Sequence, residues 1–145
     1  MRGKPLLLAF GSLTCPQFRN GAPLLNELNE RYGRRITFLM VYIREAHPRD
    51  GSSPLPVNER LGMSLAEPRS LEERAGNATL CRQRLSIPYE AVLDGMEGEV
   101  EKAFAAFPSR AYVIDREGTV TFSMALDEQR LRPEALQTAL EAVLR

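Results

Sequence analysis

Two uninterrupted apolar runs, residues 5–10 (PLLLAF) and residues 36–43 (ITFLMVYI), restrict the folds that this chain can adopt. Neither run alternates apolar with polar side chains, which is the pattern of strands that are covered on both faces of a parallel sheet. The segment between them carries an apolar stripe at helical spacing, formed by Leu24, Leu25, Leu28 and Tyr32. A strand, a helix and a strand at this spacing predict a βαβ unit with a right-handed crossover.

The rest of the chain extends this unit into a larger sheet. The predicted elements are a helix that begins at Pro68, a short strand over residues 91–94, a short helix, two strands over residues 110–115 and 119–124, and a last helix from Pro133. This order predicts an α/β, thioredoxin-like fold with a mixed central sheet, flanking helices and an insertion after the second strand. At this length, residues 1–145 are expected to form a single domain.

Two expectations concern individual helices. The first helix should bend or restart near Gly21 and Pro23, because proline lacks the N–H that a helix interior requires. The helix from Pro68 should place one apolar stripe inward, formed by Leu71, Ala75, Ala78, Cys81 and Leu85.

Composition limits the classes of partner. Lys+Arg and Asp+Glu both number 19, so the formal net charge is zero, which argues against a nucleic-acid surface or an anionic-membrane surface. The apolar runs are too short to span a bilayer. Because the chain starts almost directly on its first strand, we expect no signal peptide, and its two cysteines are too few for a disulfide scaffold. We therefore predict a cytoplasmic location.

Cys15 stands where the first apolar run gives way to the helix, in the segment FGSLTCPQF (residues 10–18). A helix start favours an anion, so we expect an exposed, nucleophilic thiol with a lowered pKa. The alternative is a small buried apolar residue, as most free cysteines are. Phe18 occupies the position where a Cys-x-x-Cys motif would have its second cysteine, so no self-contained dithiol is present. Cys81 is interpreted as a core thiol, with a resolving cysteine as the alternative.

A polar loop follows the second predicted strand and should lie at the same sheet edge as Cys15. Its His47 is the only histidine, two residues after Glu45, and a carboxylate can orient an imidazole for proton transfer. Tyr42, near the strand end, belongs either to the core or to this site. Arg110 opens a later strand, where a guanidinium could stabilise a thiolate or bind an anionic substrate, although on the sequence alone a plain surface charge is the more typical interpretation of an arginine at a strand start.

Three segments together carry a resemblance to a known family. FGSLTCPQF (residues 10–18) resembles the iodothyronine deiodinase active-site segment, in which selenocysteine or cysteine precedes proline. VYIREAHPRDG (residues 41–51) and FPSRAYVI (residues 107–114) resemble the second and third segments of that family, in the same order. The chain differs in having cysteine for selenocysteine, Leu13 where many deiodinases carry a second cysteine, and Ser52 in place of the tryptophan that usually follows Asp-Gly.

The resemblance implies reductive deiodination of iodinated phenolic substrates by a bacterial-type enzyme. Cys15 would attack iodine, and Glu45 and His47 would supply the proton that replaces it. Substrate binding is assigned to Tyr42, Arg110, Thr14 and Ser12. The family chemistry requires no metal and no organic cofactor, only an external thiol reductant or a thioredoxin-type protein. A homodimer is left open.

Two other classes of function remain compatible with the sequence: a peroxiredoxin-like thiol peroxidase or a general thiol oxidoreductase, and a non-catalytic binding domain. Peroxiredoxins share the fold and an arginine that opens a similar strand, but their Thr-x-x-Cys spacing is not met, because Thr14 directly precedes Cys15. A thioredoxin-like binding domain with an incidental cysteine would have no need of the Glu45 and His47 pair.

Overall fold

The computed structural model describes residues 3–127 and 129–145. In chain order, its elements are β1 Leu6–Gly11, α1 Pro16–Tyr32, β2 Thr37–Tyr42, α2 Pro56–Arg60, α3 Leu71–Arg84, β3 Glu90–Leu93, α4 Glu99–Ala103, β4 Arg110–Ile114, β5 Val120–Ala125 and α5 Pro133–Ala142. We call residues 43–70, between β2 and α3, the insertion.

The strands form a five-stranded mixed sheet in the order β3-β2-β1-β4-β5. The central strand β1 is parallel to β2 and antiparallel to β4. Gly11 at the end of β1 is paired with Tyr42 at the end of β2, and Phe10 is paired with Arg110 at the start of β4. The Cys15 segment, the insertion and the start of β4 therefore meet at one edge of the sheet. This topology confirms the predicted thioredoxin-like α/β architecture.

Each face of the sheet is covered by its own apolar layer, which explains why β1 and β2 are continuous apolar runs. The larger layer packs α1, α3 and α5 against the sheet through Leu25, Leu28, Ala78, Cys81, Leu136 and Leu140. On the other face, the centre of the Phe10 ring lies 5.2 Å from the centre of the Phe104 ring and 5.9 Å from the centre of the Tyr112 ring. Full burial of one large apolar side chain stabilises a fold by about 1.5–3 kcal/mol.

Two expectations about helices are wrong. Helix α1 continues through Pro23 without a break. Pro23 is exposed, so the carbonyl four residues earlier lies on the solvent side and can bond to water. Gly21 is buried and faces the Leu126 side chain, which a Cβ at this position would touch at ordinary van der Waals distance. Helix α3 begins at Leu71, after Ser70 accepts the capping hydrogen bond from the Glu73 N–H.

The predicted apolar stripe of α3 is also only partly correct. Leu71 is 51 % exposed, whereas Ala78 and Cys81 are buried. Arg74, which the pattern places off the stripe, is 1 % exposed. Across residues 3–127 and 129–145, no helix combines the length and the apolar content that crossing a bilayer requires.

Candidate active site

Cys15 lies at the corner between β1 and α1. It is the N-cap residue of α1 in an extended conformation, with φ −87° and ψ 110°, and Pro16 follows at the start of the helix. A proline suits this position because the first N–H groups of a helix have no partner within it. The position agrees with the sequence, but Cys15 is only 1 % exposed. The expectation of an exposed thiol is therefore wrong.

Burial dominates the electrostatics of this thiol. It raises the pKa of Cys15, because removal from water disfavours the thiolate. Four groups act in the opposite direction without offsetting burial: the Phe18 N–H, the Ser109 hydroxyl, the Gln17 N–H and the Arg19 charge. The expected lowering of the pKa by the helix start is wrong, because those N–H groups act on a thiol that water does not reach.

Ser109 brings a polar group to the thiol from the segment before β4. It follows the cis peptide bond between Phe107 and Pro108, and it is 4 % exposed. Its hydroxyl favours the thiolate of Cys15. Within the part of the chain that the structure describes, the Ser109 Oγ forms no hydrogen bond of ordinary length and angle. The hydroxyl is thus available to the thiol rather than committed elsewhere.

Glu45 is the centre of a buried hydrogen-bond network beside Cys15. The Tyr42 hydroxyl donates to Glu45 Oε2 at 2.6 Å and accepts from the Leu13 N–H at 3.0 Å. Glu45 Oε1 accepts from the Thr14 hydroxyl at 3.0 Å and from the Thr14 N–H at 3.3 Å. The two residues before Cys15 are thereby fixed to the carboxyl group that follows β2.

The pKa of Glu45 is raised to about 7, mainly because the carboxyl group is buried and only 3 % exposed. The hydrogen bonds from Tyr42 and Thr14 oppose this shift, and the nearby charge of Glu67 adds to it. Glu67 Oε2 also accepts from the Glu45 N–H at 3.0 Å, which fixes the two acidic residues next to each other. At neutral pH, a substantial fraction of Glu45 therefore carries a proton.

Ser12 and Thr14 connect the Cys15 segment to the insertion. Both are fully buried. The Ser12 Oγ accepts from the Ala46 N–H at 3.1 Å, and the Thr14 Oγ1 accepts from the His47 N–H at 3.2 Å. In this structure their side chains hold the loop in place, and their assignment to substrate binding stays a prediction.

The imidazole of His47 has a defined orientation. Its Nδ1 lies 2.8 Å from the Ser53 carbonyl oxygen. A carbonyl can only accept, so the Nδ1 carries the hydrogen in this bond, and the Nε2 is the nitrogen left for a ligand. His47 is half-buried and lines the cleft described next.

A cleft of about 740 Å³ opens beside Glu45 and His47. Its walls come from the insertion, the β3–α4 loop and the segment before β4, and they include Arg44, Asp50, Ser52, Glu67, Met96 and Phe107. The Arg44 guanidinium lies 3.8 Å from the centre of the Phe107 ring, and its Nε donates to Glu101 at 3.1 Å. The cleft therefore combines an aromatic wall with carboxyl and imidazole groups.

Arg110 reaches the same sheet edge but lines a different cavity. That cavity measures about 420 Å³ and includes Ser123, Gln129, Arg130 and Arg132. The sequence places Glu45, His47 and Arg110 in one site. The structure brings the first two into one cleft and leaves Arg110 on the other side of Cys15.

Several residues of the site were not identified from the sequence. Arg19 stands four residues after Cys15, so helical spacing alone could have identified it. Asn58 in α2 and Arg74 in α3 are both 1 % exposed and become recognisable only through their tertiary contacts. The Arg74 Nη1 donates to the carbonyl oxygens of Asp94 and Gly95, so the α3 helix holds the loop at the far end of the cleft.

Cys81 lies in the apolar layer under the sheet. It is fully buried, and both cysteines are free thiols. Burial raises the pKa of Cys81, and the charge of Glu45 raises it further. These observations agree with the interpretation of Cys81 as a core thiol.

Solved structures similar to this chain define its structural class. A putative thiol:disulfide interchange protein DsbE from Chlorobium tepidum has a TM-score of 0.67 at 17 % identity, and the match covers 99 % of this chain and 82 % of that one. A putative thioredoxin from Neisseria meningitidis also has a TM-score of 0.67, at 15 % identity, with coverage of 99 % and 77 %. At these identities the likeness establishes the fold alone, which is thioredoxin-like.

Sequence comparison identifies the family within this class. The iodothyronine deiodinase family model matches residues 1–143. The chain is 34 % identical over 138 residues to thyroxine 5-deiodinase of Sus scrofa, which covers 95 % of this chain and 43 % of that protein. Identity to type II iodothyronine deiodinase of Homo sapiens is 31 % over 135 residues, with coverage of 88 % and 49 %. The chain belongs to the iodothyronine deiodinase family, and it spans less than half the length of these relatives.

Proposed function

We propose that this protein is a thiol-dependent oxidoreductase that removes iodine reductively from iodinated phenolic substrates. The observation that carries the proposal is the buried carboxyl group of Glu45, which is bonded to the residue before Cys15 and has a pKa of about 7. A carboxyl group that holds a proton near neutral pH is suited to act as a general acid. Reductive deiodination needs such a proton, because hydrogen replaces iodine on the ring.

The reaction takes place in two half-reactions. The Cys15 thiolate attacks the iodine atom, a sulfur–iodine bond forms, and the carbon–iodine bond breaks. Its electron pair stays on the ring carbon, which takes up a proton, so the ring is reduced and Cys15 is oxidised to a sulfenyl iodide. An external thiol then displaces iodide to give a mixed disulfide, and a second thiol releases Cys15 as the oxidised reductant leaves.

Residues in the cleft and around it have the remaining roles. Glu45 delivers the proton, and the Nε2 of His47 binds the substrate phenol or relays a proton, since the Nδ1 is already bonded to Ser53. The Phe107 ring offers an apolar surface for an aromatic substrate. Arg110, on the other side of Cys15, binds a carboxylate of the substrate. Tyr42 acts through Glu45, whose carboxyl group it orients.

The test is a paired assay of iodide release and hydrogen peroxide consumption, with dithiothreitol as the reductant and an iodinated phenol or iodothyronine as the substrate. We expect wild-type protein to release iodide. Cys15→Ser should abolish this release, because the hydroxyl is a far weaker nucleophile than a thiolate. His47→Ala should retain the thiol and lose much of the rate.

Two outcomes would overturn the proposal. If wild-type protein consumes peroxide in a Cys15-dependent manner but releases no iodide, a peroxiredoxin-like thiol peroxidase replaces the deiodinase. If it does neither while Cys15 still reacts with alkylating agents, a non-catalytic thioredoxin-like domain is the better description.

A further inference from the structure

Arg19 is held in a fixed position one helical turn after Cys15. The Cys15 carbonyl accepts from the Arg19 N–H at 3.1 Å. At the other end of the side chain, Nη1 donates to the Leu13 carbonyl at 2.7 Å and Nη2 donates to Asn58 Oδ1 at 2.8 Å. Because the backbone N–H and the guanidinium of Arg19 are both hydrogen-bonded, the side chain cannot turn into solvent, and its charge stays beside the Cys15 segment.

Asn58 completes this arrangement from α2 of the insertion. Its Nδ2 donates to the Thr14 carbonyl at 2.9 Å, and its side chain is 1 % exposed. The carbonyl groups of Leu13 and Thr14, which precede Cys15, are thus both bonded to Arg19 or Asn58. Their negative ends are directed towards these donors, and a positive charge lies at the centre of the arrangement.

We infer that Arg19, clamped by Asn58, is a positioning residue that stabilises the Cys15 thiolate, and that the insertion sets the reactivity of the thiol through this clamp. The inference rests on the proposed function only in assuming that the thiolate is the reacting form. The sequence resemblance does not assign either residue, and neither of them lines the 740 Å³ cleft beside Glu45.

Among the groups around the thiol, Arg19 supplies the positive charge that stabilises the thiolate of Cys15. On α1, Arg19 attracts the thiolates of Cys15 and Cys81. From the insertion, Glu45 lies against Thr14 with a charge of the opposite sign, and from the segment before β4 the Ser109 hydroxyl contributes no charge. Because burial disfavours the thiolate, a fixed cation has a larger effect here than at an exposed site.

The experiment measures the pKa of Cys15 from the rate of alkylation by iodoacetamide as a function of pH, with mass spectrometry to separate the Cys15 and Cys81 peptides. For Arg19→Gln we expect a higher pKa, and alkylation slower by roughly three- to tenfold at a fixed pH below the midpoint. Arg19→Lys keeps the charge but cannot bond both partners, so an intermediate pKa is expected. Asn58→Ala should shift the pKa in the same direction, and its effect should largely vanish in the Arg19→Gln background.

Arg60→Gln is the matched control, because it removes an equal charge from an exposed position on the same α2 helix. It should leave the pKa of Cys15 unchanged. The inference is overturned if Arg19→Gln or Asn58→Ala lowers the free energy of unfolding while the pKa stays at the wild-type value, since the clamp would then be only structural. If Arg19→Gln proves too unstable to measure, Arg19→Lys and Asn58→Ala decide the question. If wild-type protein releases no iodide but Arg19→Gln still raises the pKa of Cys15, the result would support this inference and refute the proposed function.

Discussion

The two segments that flank Cys15 hold it in very different ways. On the β2 side, Ser12, Leu13 and Thr14 each form a hydrogen bond to the chain between Tyr42 and His47. On the β4 side, within residues 3–127 and 129–145, the Arg110 guanidinium forms no hydrogen bond and no ion pair, and the Ser109 hydroxyl has no partner of ordinary geometry. The polar groups on the β2 side are therefore hydrogen-bonded within the protein in the absence of a ligand, whereas the described residues of the β4 side include hydrogen-bond donors without a partner.

We infer from this difference that the two sides have different roles, proton transfer on the β2 side and substrate binding on the β4 side. Groups that transfer protons must be held in fixed positions, and the β2 side provides this through buried hydrogen bonds. Groups that bind a substrate need unsatisfied donors, and the β4 side provides those. We therefore expect substitutions on the β2 side to change the rate of the chemical step, and substitutions on the β4 side to change substrate affinity.

The largest effect is expected for Glu45→Gln. The amide keeps the shape of the side chain but cannot donate the proton, so kcat for iodide release should fall by about 100-fold. In the wild type, the thiolate fraction of Cys15 increases with pH while Glu45 loses its proton, so the rise of kcat with pH should level off at about pH 7. This levelling-off should be absent from the variant, in which kcat should continue to rise. The measurement is the initial rate of iodide release between roughly pH 5.5 and pH 9, a range that extends to both sides of the pKa of Glu45.

Glu59→Gln provides the control, since Glu59 is exposed on α2 and its loss should leave the pH profile of kcat unchanged.

The titration of Glu45 can also be measured without a substrate, from the pH dependence of the free energy of unfolding. A carboxyl group whose pKa is raised on folding binds more protons in the folded state, so stability falls as the pH rises from about 4.5 to about 7, by up to about 3 kcal/mol. If Glu45→Gln keeps both the rate and this pH dependence, the proton donor is another group.

A smaller effect is expected on the β4 side, for Arg110→Gln. Without the guanidinium, a substrate carboxylate loses a charge-assisted hydrogen bond, so KM should rise by about tenfold while kcat stays near the wild-type value. The pKa of Cys15 should not move. Arg116→Gln, at an exposed position of the β4–β5 hairpin, is the matched control. An unchanged KM would make Arg110 a surface charge at a strand start, and the proposed division between the two sides would fail.

The sequence predicts the fold well because the sheet is encoded locally. Residues 5–10 and 36–43 are apolar on both faces, and together with their short length this pattern indicates a central strand. The continuity of α1 could not be predicted, since it depends on which side of the helix meets water. Pro23 is tolerated because it lies on the exposed side of α1. The orientation of the helix becomes clear only from the packing of Gly21 against Leu126 on the buried side.

The candidate site divides in the same way between local and tertiary information. The proximity of Glu45 and Cys15 follows from parallel strands that end at one edge, and the sequence predicts it correctly. The burial of Cys15 does not follow, because it depends on chain segments that are distant in sequence, such as the one that contains Ser109. Arg19 and Asn58 are 39 residues apart, and no pattern in the sequence links them. Electrostatic properties of the site therefore could not be read from the helix start alone.

The smallest change on the bonded side is expected for Tyr42→Phe. The Tyr42 hydroxyl donates to Glu45 at 2.6 Å, and this hydrogen bond favours the carboxylate and so lowers its pKa. Its removal should raise the pKa of Glu45 further above about 7, which moves the pH at which kcat levels off to a higher value. At pH values below that point the rate should be close to that of the wild type, because Glu45 is protonated in both proteins. Tyr32→Phe is the matched control, since Tyr32 donates to Glu141 at 2.7 Å far from the site and its loss should leave the profile in place. A levelling-off that moves to lower pH in Tyr42→Phe would mean that the titrating group is not Glu45, and the β2 side would then fix the Cys15 segment without supplying the proton.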